Sequence, residues 1–499
     1  MKTDAYDELT RNWSRLHRFG HLYSMASWDR AAMMPPKGSE ARAQALAEMD
    51  ALLHRMRTDP GLVALLAQAD GEPLDDTARS NLREIRRDWK SSNALPPALV
   101  EAKSLATSRC EHAWRRQRPD DDWAGFLLNL REVVRLAREE AKYLADSSGL
   151  SLYGALMDQF EPDMTSVEVS STFGDLQTWL PGLIRAVRDK QASEPVIEPV
   201  GPFAKVAQRA LSLEVMALLG FDFEAGRLDE SAHPFSGGVP EDTRLTTRYY
   251  EDDFVQSLMG TIHETGHARY EQNLPRECLG QPIARARSTG IHESQSLSFE
   301  MQLGRSAGFV ARMAPLLAAR FGAQPAFEAG NLQRLLTRVE PGFIRVDADE
   351  LTYPAHVMLR YSIEKRLIEG EIEADDIPLL WDEGMASLLG VDTSGNFNDG
   401  CMQDVHWGAG LFGYFPCYTL GAMYAAQWFA AIRRSTPELD ARLFAGDFAP
   451  VFDWLRVNIW QQASRWTTAE LTQRASGERL NPLHFRRHLQ ARYLGVGPR

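Results

Sequence analysis

Apolar residues recur at three- and four-residue intervals along most of the chain, and that spacing predicts helices. Tyr6, Leu9, Trp13 and Leu16 mark one such face near the start. The same pattern predicts helices over 38–58, 97–118, 121–148 and 204–219. Pro35-Pro36, Pro96-Pro97 and the run PVIEPVGP at 195–202 punctuate it, because proline lacks the N–H that a helix interior needs. Strand signals are few. Leu245 to Tyr250, LTTRYY, is β-branched and aromatic and follows the turn-rich HPFSGGVP at 233–240, which predicts a short strand. The expected fold is mainly α with a small β element near the middle. No break is a long Ser/Gly linker and no internal repeat interrupts the chain, so one domain over 1–499, divided by a cleft, is expected.

One uncharged stretch, Trp407 to Ile432, is long enough to span a bilayer. Gly408, Gly410, Gly413 and Pro416 break its first half and Gln427 sits in its second, so it reads as a loop feeding a buried core helix. The first residues, MKTDAYDELTRNW, contain no apolar run of the signal-peptide kind. A cytoplasmic protein with no membrane partner is expected. The 499 residues are 44% hydrophobic and 25% charged, ordinary for a globular protein with a large core. Asp and Glu number 68 against 55 Lys and Arg, a net charge of −13, which argues against a phosphate-binding surface and hence against nucleic acid. Cys110, Cys278, Cys401 and Cys417 form no Cys-x-x-Cys pair, so neither a disulfide scaffold nor a thiolate metal site is expected.

The chemistry is in the histidines. Three pairs lie at i, i+4: His17/His21, His263/His267 and His484/His488. On a helix this spacing puts both rings on one face, near enough to share a tetrahedral cation. The first pair encloses Arg18 and the last Arg486 and Arg487; those guanidinium groups disfavour a divalent cation, and neither pair supplies a base. The middle pair reads His263-Glu264-Thr265-Gly266-His267, the zinc-hydrolase order. Two neutral imidazoles would bind the metal. Glu264, about 100° round the helix, would reach the attacking water instead and take its proton. The apolar run Val255, Leu258, Met259 and Ile262 leads into the motif and points to a buried helix, where unpaired His and Glu would be costly.

A catalytic zinc needs a third protein ligand and an open position. The segment GIHESQSLSFEMQLG at 290–304 offers His292, Glu293 and Glu300, and spacing does not choose between His292 and Glu293. Glu300 and Glu271 are candidates for holding the imidazoles, with Glu271 expected to be a solvated helix-face charge.

These motifs resemble the Taq-type zinc metallocarboxypeptidases, metallopeptidase family thirty-two. The resemblance covers nearly the whole chain: SWDRAAMMPPKG at 27–38, HPFS at 233–236, DTRLT at 242–246, HETGH at 263–267, HESQ at 292–295, IRVDAD at 344–349, GCMQDVHW at 400–407 and GYFPCYTLG at 413–421. It implies Glu293, not His292, as the third ligand of one zinc per chain, with cobalt an alternative. It implies a large, almost wholly helical body with a deep central groove, similar to neurolysin and angiotensin-converting enzyme, and a homodimer. Ala31, Ala32 and Cys417 depart from the family's usual residues, away from the ligand set. The activity implied is removal of single C-terminal residues from peptides with a free C-terminus, with broad side-chain tolerance. Such an enzyme must hold a carboxylate, which suits the fork of an arginine, and the resemblance links Arg244 and Arg345 to that task. Arg345 could instead form a structural ion pair with Asp347 or Asp349. For the developing oxyanion, His406 and Tyr418 or Tyr414 are candidate donors, with Tyr414 also a candidate substrate contact. Two rival readings are a zinc oligopeptidase cutting internally and an inactive helical dimeric scaffold.

Overall fold

The computed structural model describes residues 4–231 and 234–496; His233 of the HPFS motif lies outside them. The helices form where periodicity placed them: Asp4–Ala32, Ser39–Arg57, Pro97–Gln117, Trp123–Ser148 and Lys205–Leu218. The fourth starts two residues after its predicted edge. There the Asp122 carboxylate accepts the Gly125 N–H at 2.8 Å, and Asp121 holds a left-handed φ of 56°, so the cap sets the start. Leu9, Trp13 and Leu16 pack with Leu53, Leu62, Leu66 and Ile85 into one hydrophobic cluster. A second, far larger cluster runs from Cys110 to Tyr493. Trp13 is wholly buried, and burying an apolar side chain of that kind stabilises by about 1.5–3 kcal/mol or more.

The Trp407–Ile432 stretch is a loop followed by the helix Pro416–Ser435. Its lack of charge follows from burial on nearly all sides. Gln427 is fully buried yet satisfied, donating to Ser476 Oγ at 2.7 Å and Arg479 O at 3.0 Å and accepting Asn481 N–H at 2.8 Å. Among the described residues no helix is long and apolar enough to cross a membrane.

The β element is a three-stranded sheet of β1 (Gly226–Glu230), β2 (Ser236–Val239) and β3 (Asp242–Thr247), in the order β1-β3-β2. β1 pairs parallel to β3, with Leu228 opposite Leu245, and β2 pairs antiparallel, with Ser236 opposite Leu245. The predicted strand is thus shifted, starting three residues earlier and ending at Thr247. The tight return from β2 recruits Asp242 to Arg244 into the ladder. Beyond Thr247, Tyr249 enters the core and the Tyr250 carbonyl accepts from Gln208 Nε2; their aromatic character is that of packing, not of pairing. Leu228 and Leu245 meet Met216, Phe221 and Ala268, which seats the sheet on the helix Val255–Gln272, the one that carries the HETGH motif.

Candidate metal centre

Two helices, one of 18 residues and one of 9, bring the candidate ligands together. Val255–Gln272 carries His263, Glu264 and His267, and Thr289–Leu297 carries His292 and Glu293. The second starts sharply because Ser288 Oγ accepts the Ile291 N–H at 3.0 Å. The two helices nearly touch at Gly266, where a Cβ would stand 2.5 Å from the Gln295 carbonyl oxygen and 2.6 Å from Ser296 Cα. Gly421, on Pro416–Ser435, permits an equally close approach to Glu293 from the other side, where a Cβ would stand 2.7 Å from its Cγ. Gly260 in the same motif helix faces open space. Gly260→Ala is therefore expected to stabilise the fold by about 0.5–1 kcal/mol through helix propensity. Gly266→Ala is expected to destabilise it by about 1–3 kcal/mol, since backbone cannot rotate away from the new methyl. Thermal unfolding of the two variants checks the difference; equal shifts would contradict the close helix contact.

The Glu293 carboxylate lies 3.5 Å from His267 Nε2 and 4.0 Å from His263 Nε2. One ligand atom from each of the three falls within 4.8 Å of the others. Donors about 2.1 Å from a tetrahedral ion stand roughly 3.4 Å apart, so this set needs only a small closing motion to hold a divalent cation. The outer nitrogens fix which inner ones are bare. Glu300 Oε2 lies 2.9 Å from His263 Nδ1 and, as a carboxylate, can only accept, so in the neutral ring Nδ1 carries the proton and Nε2 keeps its lone pair. His267 is set by a longer chain. Glu271 Oε1 lies 2.9 Å from His292 Nε2, and His292 Nδ1 lies 2.6 Å from His267 Nδ1. Glu271 accepts a hydrogen bond from His292 Nε2–H, His292 Nδ1 then accepts from His267 Nδ1–H, and in the neutral ring His267 Nε2 is again bare. Glu271 is thus engaged with His292, rather than being the solvated charge expected from sequence.

The field inside the site asks for positive charge. Burial disfavours a charged His263, yet Glu300, Glu293 and Glu264 outweigh it and push its pKa up to about 10. The site thus stabilises positive charge at this ring, and a bound dication would take the place of the Nε2 proton. His267 goes the other way, lowered by burial and by the neighbouring imidazoles. Three carboxylates around two inward-facing imidazole nitrogens are a donor set suited to a dication.

His263, Glu264, His267, His292, Glu293, Tyr414 and Tyr418 line one cavity of about 710 Å³. Burial raises the pKa of both tyrosines, so each keeps its O–H as a donor. A second cavity of about 880 Å³ shares Gln159, Phe160, Pro162, Ala286 and Arg287 with the first and reaches Leu74, Leu82 and Glu84 of the N-terminal helices. Together they form a trough. Its first cavity's lining does not include His406, Arg345 or Arg244. His406 sits just behind, its Nε2 3.3 Å from Tyr418 Oη. Its pKa falls to about 4, first through burial and then through Arg345 and Arg360, against the pull of Asp404; it is neutral at pH 7.

Arg345 is also behind Tyr418, its guanidinium 4.9 Å from that ring. It bonds Asp404 at 2.8 Å and Tyr353 Oη at 2.6 Å. The ion pair with Asp347 or Asp349 weighed from sequence does not form; Asp349 instead accepts from Thr352 and from Leu351 N–H. Arg360 reaches the same Asp404 at 2.6 Å, so two guanidinium groups share one carboxylate. Asp404 and Arg360 were not singled out from sequence, although Asp404 stands two residues before His406. Arg244 lies apart, on β3, in a fork with Asp242 at 2.8 and 2.7 Å and over the Trp28 ring at 4.7 Å. Among the other histidine pairs, His17 and His21 are half-buried, and His484 and His488 pair with Glu478 and Glu350.

The family model described as carboxypeptidase Taq (M32) metallopeptidase matches residues 8–493. A thermostable carboxypeptidase 1 from Thermus thermophilus is 39% identical over 506 residues, covering 99% of each chain. The solved structure of metallocarboxypeptidase 1 from Trypanosoma cruzi is 48% identical and superposes with a TM-score of 0.97, over 99% of this chain and 100% of that one. A Pyrococcus furiosus carboxypeptidase structure, titled apo-Mg, is 31% identical with a TM-score of 0.95, over 99% of both chains.

Proposed function

Since the chain belongs to the carboxypeptidase Taq (M32) metallopeptidase family, and is accordingly a metallocarboxypeptidase acting on peptides, we propose that His263, His267 and Glu293 hold its metal, one zinc ion per chain, with cobalt a workable substitute. The observation that carries this reading is the convergence of one imidazole nitrogen from each of His263 and His267 and one Glu293 carboxylate oxygen within 4.8 Å. When bound, the ion supplies Lewis acidity to the scissile carbonyl and to the attacking water. Glu264 takes the proton from that water and returns it to the leaving amine. Tyr418, backed by neutral His406, and Tyr414 donate hydrogen bonds where negative charge develops on the carbonyl oxygen.

On this reading an arginine, Arg345 or Arg244, holds the substrate carboxylate. Either would have to share its guanidinium between that carboxylate and its present partner, Asp404 or Asp242. Support for Arg345 comes from the Arg345–Arg360–Asp404 cluster, which places one positive charge in excess directly behind Tyr418. Arg244 keeps a candidate role at the sheet, where its fork is engaged by Asp242. Arg345→Ala should lower kcat/KM on free peptides by roughly 30- to 1,000-fold, the value of a charge-assisted contact of about 2–4 kcal/mol. The loss should be far smaller on C-terminally amidated peptides. Equal losses on both substrates with a lower Tm would make Arg345 a structural partner of Asp404 only, and the same pair of substrates decides Arg244. Lys at either position should rescue poorly, because a point charge cannot reproduce the fork.

Broad tolerance for the released side chain, a single catalytic domain of two helical lobes, a homodimer and a cytoplasmic location belong to the same reading. The cytoplasm is supported by four cysteines that form no disulfide. Metal analysis together with mass spectrometry of digests of one unblocked peptide tests the whole: one zinc per chain and sequential loss of C-terminal residues are expected, and internal cuts would reject it.

A further inference from the structure

The helix bearing Glu293 continues into a π-helical turn, Ser298–Gly304, and this turn carries Glu300. Such turns are wide and costly, and they persist where something holds them. The last carbonyls of any helical segment lack an in-helix N–H. Here the carbonyls of Met301 and Gln302 both accept from Arg492, near the end of the chain, Gln302 at 3.2 Å from Nη2. The same guanidinium bonds Glu350 Oε2 at 2.8 Å. Glu350 is buried and is held also by His488 at 2.7 Å and the Tyr493 hydroxyl at 3.1 Å. On the site side of the turn, Arg305 donates to Glu300 Oε1 at 3.1 Å while Glu300 Oε2 faces His263 Nδ1.

We propose that Arg492 is a positioning residue for the metal site: it clamps the π-helical turn to Glu350, and the turn so held aims Glu300 at the outer nitrogen of His263. A segment more than 220 residues away in sequence from His263 thereby sets the tautomer and orientation of a ligand ring. The inference rests on the reading of His263 as a ligand. Arg138 is a matched control remote from this path, since it too bonds two carbonyls and a carboxylate, Leu367 O at 2.8 Å, Ile372 O at 2.7 Å and Glu373 at 3.0 Å.

The test uses the full-length protein with zinc as the only probe. Wild type, Arg492→Ala, Arg492→Lys and Arg138→Ala are loaded, and zinc release to a chromophoric chelator is followed alongside Tm. Arg492→Ala is expected to weaken zinc binding about tenfold, in the range of outer partners of a ligand. Arg492→Lys should fall between, and Arg138→Ala should match wild type even where its Tm drops. Equal zinc binding in Arg492→Ala and Arg138→Ala overturns the proposal whatever the melting temperatures. If Arg492→Ala does not fold, Arg492→Lys decides it by the same comparison. A wild type that takes up no zinc overturns the ligand reading instead, and the strut is then decided in metal-free protein by NMR. The low-field His263 Nδ1 proton should be present in wild type and Arg138→Ala and displaced in either Arg492 variant; an unmoved resonance rejects the strut.

Discussion

Glu264→Gln is expected to keep about one metal ion per chain and to lose roughly 10²- to 10⁴-fold in kcat, the usual worth of a positioned general base. The structure separates base from ligand. His263, His267 and Glu293 face one another, and their outer atoms are tied down by Glu300, His292 and the close contact at Gly421. Glu264 lines the same cavity, yet among the described residues its carboxylate makes no hydrogen bond or ion pair. A proton carrier needs that freedom and a ligand does not. Glutamine preserves size and polarity but cannot accept the proton, so KM should change little while kcat collapses. Glu264→Asp should retain part of the rate, limited by the shorter reach. If Glu264→Gln also sheds its metal, Glu264 is a ligand and the mechanism must be redrawn.

What could be read from the sequence depended on how local the physics was. Helix positions were legible because burying one face imposes a three- and four-residue rhythm, and Trp407–Ile432 was legible as a core segment because glycine, proline and Gln427 contradict a lipid environment. The motif HETGH was legible because i, i+4 geometry is local too. Partners across the fold were not. Arg345 has acidic neighbours two and four residues on, and proximity in sequence favoured them, but its carboxylate is Asp404, 59 residues away. Glu271 looked like surface charge because nothing nearby in sequence could use it; the packing of a second helix supplies His292. The strand was misplaced by three residues because aromatic content at Tyr249 and Tyr250 signals burial as readily as pairing. Gly266 reads as an unremarkable helix interior until the backbone of Gln295 and Ser296 is seen against it.

Glu293→Ala against His292→Ala separates a ligand from the group that orients one. Glu293 is buried between the motif helix and Pro416–Ser435, with Oε2 3.5 Å from His267 Nε2 and 4.0 Å from His263 Nε2. Its removal leaves two imidazoles and no anionic donor, and zinc binding should fall by more than the roughly 10- to 100-fold that outer partners contribute. A protein that binds metal only when folded gains RT ln(1 + [L]/Kd), about 2.7 kcal/mol at a hundredfold excess over Kd. Added zinc should therefore raise the Tm of wild type and leave that of Glu293→Ala unmoved. His292→Ala acts differently. It takes the acceptor from His267 Nδ1 and the partner from Glu271, so His267 Nε2 is no longer held as the bare nitrogen. That variant should still bind zinc, about 10- to 100-fold more weakly, and still show a zinc-dependent rise in Tm. The opposite pattern, with zinc retained by Glu293→Ala and lost from His292→Ala, would put the imidazole on the metal and remove the carboxylate from the ligand set.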